Sequence, residues 1–185
     1  MEEYEITDTE VLWEGRYLRC LRLHYSDSSG NRRHWEAVER VNCEHVVAIV
    51  PVTDDGKMVF IRQYRPPVNS FVIEFPADLN NMGEGPEAAV LRELREETGY
   101  VAGELVFLAQ GPLSSGSSRE ILTVYLAREL TFKGIEGRDE MEDIEVLEVP
   151  LERLYETLLR LSEEGNLVDL KILGLVEMAR RQMLI

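Results

Sequence analysis

Cysteine and histidine are scarce in this sequence of 185 residues, and acidic residues outnumber basic ones. The two cysteines, Cys20 and Cys43, and the three histidines form no zinc-binding pattern, so we expect free thiols in a reducing compartment. Lysine and arginine number 20 against 35 aspartates and glutamates, for a formal net charge of −15. Because such a field repels phosphate backbones, we expect no nucleic-acid partner. The acidity instead favours chemistry in which metal cations are recruited locally.

The sequence also lacks a long hydrophobic run, a basic leader and internal repeats. No apolar stretch reaches the roughly 20 residues that cross a bilayer, and the first five residues, Met-Glu-Glu-Tyr-Glu, are acidic. We expect a cytoplasmic protein with no membrane partner. A hydrophobic fraction of 44% is sufficient for one compact domain with a proper core.

Hydrophobic alternation and turn residues predict a mixed α/β fold. An N-terminal hairpin is predicted from strands at 18–25 and 33–40. Further strands are predicted at 46–52, 58–64, 71–75, 104–110, 120–127 and 143–149. Helices are predicted at 86–98, with Gly99 as the stop, and at 151–163 and 167–183. Helices inserted between and after the strands indicate an α/β sandwich rather than a regular β-α-β repeat.

Three glutamates, Glu93, Glu96 and Glu97, crowd the last turn of the first predicted helix. Positions three and four apart share one helix surface, so the carboxylates lie close together. Like charges at these spacings each cost roughly 0.2–0.5 kcal/mol, and the helix dipole already disfavours negative charge at this end. A hard cation such as magnesium, which binds oxygen ligands, would reverse that balance. Arg92 can pair with Glu96 one turn later and orient its carboxylate.

A solvated acidic helix face is the alternative explanation of these glutamates. Such faces are common in a protein this acidic, and short motifs produce false matches. Spacing alone leaves both interpretations open, and the neighbouring sequence is needed to separate them.

The glutamates belong to a longer motif. The segment Glu84-x7-Arg92-Glu93-Leu94-x-Glu96-Glu97-x-Gly99 resembles the Nudix box, G-x5-E-x7-R-E-U-x-E-E-x-G-U, in which U is a large apolar residue. Flanking motifs resemble the ADP-ribose pyrophosphatase branch of that superfamily: Arg-Gln-Tyr-Arg-Pro-Pro at 62–67, Ile-Glu-Phe-Pro-Ala at 73–77 and Glu-Met-Glu-Asp-Ile at 140–144. The resemblance covers roughly residues 15–180, nearly the whole chain.

The resemblance implies a Nudix-type α/β/α sandwich with a mixed sheet and an N-terminal β-hairpin region. Residues 1–44 would form that region, for dimerisation and base stacking, and residues 45–185 the catalytic domain. The implied reaction is hydrolysis of the diphosphate bond of ADP-ribose, to AMP and ribose 5-phosphate, or of a related nucleoside diphosphate sugar. The implied cofactor is Mg2+, for which Mn2+ could substitute. Two or three ions would neutralise the diphosphate, polarise a phosphoryl oxygen and lower the pKa of the attacking water.

The resemblance also assigns the metal ligands. Glu93 and Glu97 would be the main ligands, Glu96 a further ligand or bridge, and the Ala77 carbonyl a ligand from the loop before the helix. Glu142 of the later acidic loop would be another ligand, if it is not the general base.

Catalytic roles follow from the same match. Arg92 would hold the helix carboxylates, including Glu96, and Glu84 would brace the loop. One of Glu140 and Glu142 would be the general base that activates water and the other a metal ligand. A carboxylate base needs only to reach the water in the closed complex, so the sequence does not separate the two.

Four residues are candidates for substrate binding. Arg65 would contact the diphosphate or the terminal ribose, since guanidinium binds phosphate oxygens bidentately, and its alternative is a surface strand arginine. Trp35 and Tyr17 would sandwich the adenine; alternatively Trp35 packs in the hairpin and Tyr17 lies on the surface. Glu120 would lie near the ribose. The resemblance further implies a homodimer with a swapped N-terminal region, so that one subunit's rings serve the other's site.

The sequence departs from the family at two positions. Asp78 stands where the box begins with glycine, and glycine is used where the backbone needs positive φ or close approach. Ser115 stands where the ADP-ribose branch carries proline in a Ser-Pro-Gly loop. The alternative function is therefore a nucleotide-binding Nudix module whose catalysis is weak or lost because of Asp78. A purely structural partner protein would leave the acidic helix and loop as coincidence.

Overall fold

The computed structural model describes residues 4–43, 46–79, 83–137 and 143–185, with the side chains of Asp78 and Leu79 outside that description. Three antiparallel strands form an N-terminal sheet: β1 (Glu5–Glu14), β2 (Leu18–Ser26) and β3 (Arg32–Arg40), in that order. The predicted hairpin is confirmed as β2 and β3. The sequence reasoning missed β1, because all ten of its residues are exposed and it shows no alternation of buried and exposed positions.

Two four-stranded sheets form the main body. The first has the order β7-β4-β9-β8 and the second the order β10-β5-β6-β11. Their bounds are β4 Val46–Pro51, β5 Lys57–Arg65, β6 Ser70–Glu74, β7 Ala77–Leu79, β8 Tyr100–Pro112, β9 Ile121–Phe132, β10 Ile144–Pro150 and β11 Leu167–Val168. The pairs β4–β9 and β6–β11 are parallel and the other pairs antiparallel, so the predicted mixed pairing is confirmed.

Helices cover both sides of the buried strand β4. The helices are α1 (Pro86–Glu93), α2 (Leu154–Glu163) and α3 (Lys171–Arg181). Alternate residues of β4 belong to different apolar clusters: Val47 and Ile49 pack with α1, whereas Val46, Ala48 and Val50 share a core with α2 and α3. This arrangement is the predicted α/β/α sandwich. No helix in the described ranges is both long and apolar enough to span a bilayer.

Two predicted helices differ from the structure. The helix predicted at 167–183 begins only at Lys171, because Leu167 and Val168 pair with β6 instead. The Lys171 amide then donates to Asp169 Oδ1 at 2.9 Å, which satisfies a free N–H at the helix start. The helix predicted at 151–163 opens with a 3-10 turn, Leu151–Arg153, before α2. Local helix propensity carries no information about pairing with a distant strand. The predicted helix at 167–183 therefore started too early.

The N-terminal sheet is joined to the main body through the edge of β3. The Val38 amide donates to the Ser117 carbonyl at 2.8 Å, and the Arg119 amide donates to the Val38 carbonyl at 3.1 Å. Trp35 Nε1 donates to the Gly116 carbonyl at 2.9 Å. The loop between β8 and β9 therefore supports the N-terminal sheet. The cleft between this sheet and the main body lies beside the start of β4.

Candidate active site

The glutamate-bearing helix is held by its apolar side. Ala89, Val90 and Leu94 are fully buried against β4 and β5. This packing places Glu93 and Glu97 at the helix–sheet boundary, where they are only 3% and 4% exposed. Burying two carboxylates costs several kcal/mol each unless charges or hydrogen bonds compensate. The solvated acidic face considered from the sequence is therefore wrong for these two residues, although it describes the partly exposed Glu96 better.

The helix widens where the glutamates lie. Residues Leu94–Thr98 form a π-helical segment directly after α1, and Gly99 ends it with φ of 79°. The buried Thr98 hydroxyl donates to the Leu94 carbonyl, within the widened turn. Such π segments are rare and occur frequently at functional sites. The regular spacing assumed from the sequence is therefore wrong for this segment, since one turn carrying Glu96 and Glu97 is not α-helical.

Arg92 is the cation at the centre of these carboxylates. Its Nε and Nη2 each lie 3.1 Å from an oxygen of Glu84, and its Nη1 lies 2.9 Å from Glu96 Oε2 and also contacts Glu93. Burial opposes ionisation, but hydrogen bonds to Glu84 and the charge of Glu93 outweigh it and raise the pKa of the guanidinium. The predicted pairing of Arg92 with Glu96 is confirmed, and Glu84 connects the loop to this network.

Ala77, which the sequence predicted in the loop before the helix, instead begins strand β7 and is tied to Glu97. Ala77 pairs with Ala48 of β4, and its amide donates to Glu97 Oε2 at 3.1 Å. Asp78 follows within β7 and pairs with Val47, so its backbone is extended. A left-handed conformation, for which the family glycine could have been required, is not needed at this position.

The acidic loop starts next to the same helix. The Lys133 amide donates to the Gly99 carbonyl at 2.9 Å, and Arg95 forms an ion pair with Glu136. Gly137 has φ of 87°, and a Cβ built there would lie 3.0 Å from Glu96 Oε1. The predicted base and ligand, Glu140 and Glu142, lie outside the described residues.

Arg65 has a carboxylate partner that the sequence reasoning did not include. Arg65 Nε donates to Glu74 Oε1 at 2.6 Å, across the β5–β6 pair. Burial raises the pKa of the Glu74 carboxyl, although the hydrogen bond from Arg65 acts in the opposite direction. Gln63 precedes Arg65 by two residues and buries an Oε1 that has no hydrogen-bond partner among the described residues. The 62–67 and 73–77 motifs included both residues, but the sequence did not indicate the contact between them.

A cavity of about 480 Å³ lies between the N-terminal sheet and the main body. Its charged lining consists of Arg19, Glu39, Arg40, Arg119 and Glu120. These groups form ion pairs, Arg40–Glu120 at 2.8 Å, Arg19–Glu39 at 2.8 Å and Arg119–Glu39 at 3.2 Å. The sequence indicated Glu120 but not the three arginines, because single arginines in a strand or a loop form no recognisable motif.

The cavity lies close to Ala77, the first residue of β7. Val46 lines the cavity and precedes Ala48, the partner of Ala77, by two residues. At about 3.3 Å per strand residue, the two points are roughly 7 Å apart.

The two predicted stacking rings do not face each other within one chain. Trp35 is 53% exposed and Tyr17 is 66% exposed. Trp35 pairs with Leu23, whereas Tyr17 precedes Leu18, which pairs with Arg40. Five residues separate these pairs, or roughly 16 Å along the ladder. One chain therefore does not sandwich a base between Trp35 and Tyr17.

No group of three or more histidine, cysteine, aspartate or glutamate side chains is arranged as a metal-binding cluster in the described part of the chain. Arg92 lies among the helix carboxylates, and Glu97 faces the Ala77 amide. The predicted donor Glu142 is outside the described ranges. The metal assignment accordingly stays a prediction.

Comparison with known proteins identifies the family. The NUDIX domain model matches residues 44–170. The chain is 39% identical over 125 residues to an "ADP-ribose pyrophosphatase" of Bacillus subtilis (strain 168), covering 68% of this chain and 66% of that protein. It is 32% identical over 184 residues to an "ADP-sugar pyrophosphatase" of Mus musculus, covering 90% and 83%. A crystal structure of an "ADP compounds hydrolase" superposes with a TM-score of 0.80 at 25% identity, covering 99% of this chain and 95% of that one.

Proposed function

Since the chain belongs to the NUDIX domain family, we propose that it hydrolyses the diphosphate bond of ADP-ribose or a related nucleoside diphosphate sugar. From ADP-ribose the products would be AMP and ribose 5-phosphate. The observation that carries this proposal is the pair of buried carboxylates, Glu93 and Glu97, beside the loop amide of Ala77. Buried carboxylates at a helix C-terminus are unfavourable for stability alone, and bound cations would offset that cost.

We propose that oxygen atoms around the helix bind a divalent metal ion, Mg2+, for which Mn2+ could substitute. The donors are hard oxygens, which Mg2+ prefers over nitrogen and sulfur. We assign Glu93 and Glu97 as the main ligands, with Glu96 as a further ligand or bridge and the Ala77 carbonyl contributing from the loop. When bound, the metal would neutralise the diphosphate, polarise a phosphoryl oxygen and lower the pKa of the attacking water.

Arg92 and Glu84 would keep the carboxylates in position. The two-point contact of Arg92 with Glu84 anchors the guanidinium from the loop side, so that its remaining nitrogen restrains Glu96. This network fixes carboxylate rotamers before any ligand binds, which reduces the ordering needed in the closed complex.

For the proton transfer we propose one of Glu140 and Glu142 as the general base and the other as a further metal ligand. A Cβ at Gly137, three residues before Glu140, would lie 3.0 Å from Glu96 Oε1, and this proximity supports our placing the acidic loop beside the helix. The close approach also explains the glycine at 137, because a side chain there would meet the Glu96 carboxylate.

Substrate binding is assigned to the cavity and to Arg65. Arg40 and Glu120 would bind the nucleoside side of the substrate, through charge and through hydrogen bonds to ribose hydroxyls. Arg65 would bind the diphosphate or terminal ribose with its outer nitrogens. The buried Oε1 of Gln63 is an acceptor for a hydroxyl or a water of the bound complex.

We further propose a homodimer with a swapped N-terminal region, residues 1–44, in front of a catalytic domain of residues 45–185. The wide separation of Trp35 and Tyr17 in one chain supports a base sandwich built from two subunits. Exposed apolar side chains on the N-terminal sheet, such as Val11 and Trp13 of β1, support burial against a second copy. Sedimentation of the purified protein would test this: a monomer at micromolar concentration contradicts it.

The decisive experiment is an assay of the purified chain with Mg2+ and a panel of nucleoside diphosphate sugars. Release of a nucleoside monophosphate is the expected result, and chelation with EDTA should abolish it. A Glu156→Gln variant, which alters an exposed carboxylate on α2, is the matched control for Glu97→Gln. Absence of turnover for the entire panel at high enzyme concentration would contradict hydrolysis, and tight binding without product would favour the binding-module alternative.

A further inference from the structure

We propose that Glu74 is a positioning residue that directs the Arg65 guanidinium toward the diphosphate site. The inference rests on the proposed hydrolase function and adds a residue that touches neither substrate nor metal. Two observations support this role: the Arg65 side chain extends back along β5 toward Glu74, and the Glu74 carboxylate is largely buried.

The strand register shows that Arg65 reaches backward along the sheet. Arg65 is directly opposite Ser70, whereas Glu74 is opposite Ile61, four residues earlier on β5. The two Cα positions are thus roughly 13 Å apart along the strands. The hydrogen bond of 2.6 Å between Arg65 Nε and Glu74 Oε1 therefore requires the arginine to extend over the intervening row instead of projecting from the strand end.

This row lies on the side of the sheet that faces the glutamate helix. Alternate residues of a strand share a face, so Val59, Ile61 and Arg65 point to one side of β5. Val59 packs with Val90 and Leu94 of the helical segment. Glu74 shares this face through its pairing with Ile61. The carboxylate consequently draws Arg65 toward the helix that carries the proposed ligands.

The pair is asymmetric in a way that leaves Arg65 able to bind an anion. The Glu74 side chain is 13% exposed and that of Arg65 is 38% exposed. Only Nε of Arg65 is engaged, and Nη1 and Nη2 have no hydrogen-bond partner in the part of the chain that the structure describes. A buried acceptor thus fixes the base of the guanidinium while its outer edge stays accessible to phosphate oxygens.

Glu74 is also close to the proposed metal loop along the chain. Three residues later, the Ala77 amide donates to Glu97. On the other side of Glu74, Asp169 and Lys171 act on it only through their charges, and the Lys171 ammonium forms an ion pair with Asp169. Arg65 is therefore the cation that hydrogen-bonds Glu74. The pair connects the end of β5 to the end of β6, three residues before Ala77.

The test is a double-mutant cycle on Glu74 and Arg65, measured by steady-state kinetics with ADP-ribose and Mg2+. Glu74→Gln should raise KM about tenfold, the size expected for losing a charge-assisted hydrogen bond, with kcat changed by less than twofold. Glu74→Asp should fall between Gln and wild type. In an Arg65→Ala background, Glu74→Gln should add less than a twofold effect, because the group that it positions is gone.

Glu145→Gln is the matched control. It also removes the carboxylate partner of a β5 arginine, Arg62, at 3.1 Å, but on the opposite face of the sheet. It should leave KM unchanged. Equal effects of Glu74→Gln with and without Arg65 would overturn the positioning role, as would a fall in kcat accompanied by loss of thermal stability.

A calorimetric titration with ADP-ribose separates this inference from the hydrolase proposal. If the wild type binds ADP-ribose without turning it over, hydrolysis is contradicted, and a tenfold weaker binding of the Glu74→Gln variant still supports positioning. If the wild type hydrolyses ADP-ribose but the variant has an unchanged KM and affinity, only the positioning role fails. Absence of both binding and turnover in the wild type overturns both.

Discussion

The amide of Ala77 donates a hydrogen bond of 3.1 Å to Glu97 Oε2, which joins the loop after β6 to the end of the glutamate helix. Through this contact a buried carboxylate is oriented by backbone that is itself paired with β4. The two proposed metal-binding segments, 20 residues apart in the chain, are therefore directly connected by a hydrogen bond. Removing the carboxylate charge at position 97 should affect catalysis and metal binding together.

Glu97→Gln should lower kcat/KM by about two to three orders of magnitude, because it removes a charged ligand while keeping the side chain's volume. Thermal melting with and without Mg2+ provides the second measurement. The wild type should melt at a higher temperature in Mg2+, since a ligand at 100 times its Kd stabilises the folded state by about 2.7 kcal/mol. The shift should be small or absent in the variant. A full Mg2+ shift in Glu97→Gln would contradict its assignment as a main ligand.

Asp78→Gly should not restore a lost activity. Asp78 lies in the extended strand β7, so glycine's left-handed conformations bring no advantage there, and its backbone freedom should cost about 0.5–1 kcal/mol in stability. We expect a slightly lower melting temperature and a kcat within twofold of the wild type. A gain of tenfold or more in kcat would instead support the alternative in which Asp78 weakens catalysis.

Glu74→Gln should weaken substrate binding without destabilising the fold at neutral pH. Burial raises the pKa of Glu74 above its ordinary value of 4.5, so folding favours the protonated form. The stability from this group is fully present below pH 4.5 and is lost as pH rises through the raised value. The variant, which cannot ionise, avoids that loss. Its melting temperature relative to the wild type should therefore increase from pH 4 to pH 7; a decrease would contradict the direction of the pKa shift.

Arg40→Ala should raise the KM for ADP-ribose by about fivefold to tenfold, with little change in kcat. The substitution removes a cation from the cavity and leaves the Glu120 carboxylate, its partner at 2.8 Å, to repel an anionic substrate. Steady-state kinetics on the purified variant would measure this. Arg153→Ala, which alters an exposed arginine paired with Glu156 before α2, is the control and should behave as wild type. Equal KM values for the two variants would exclude the cavity as the substrate site.

Local pattern was sufficient for most of the fold. The buried strand β4 and the returning strand β5 follow from apolar runs around an Asp-Gly turn, and their predicted positions agree with the structure to within one residue. Gly99 ends its helical segment with positive φ, as its type predicts. The strands that the pattern missed, β1, β7 and β11, are segments whose strand conformation depends on a neighbouring strand more than on their own composition.

The candidate active site likewise has features that follow from the sequence and features that do not. The residues Glu93, Glu96 and Glu97, and the pairing of Arg92 with Glu96, follow from sequence, because helical spacing brings positions three and four apart onto one surface. The widened turn, in which the Thr98 hydroxyl donates to the carbonyl of the buried Leu94, does not follow from that spacing. The spacing therefore identified the carboxylate cluster that we propose as the metal site, but the π-helical shape of its turn appears only in the tertiary structure.

Composition and spacing by themselves determined that this chain is an acidic α/β protein with a carboxylate cluster at the end of a helix, because charge and helical periodicity are local properties. Tertiary structure alone decided that Glu74 restrains Arg65 and that Arg40 meets Glu120, 80 residues later. Sheet register and the docking of the N-terminal sheet set these contacts. Distances across strands depend on which strands pair, and a single sequence does not encode that pairing in any short motif.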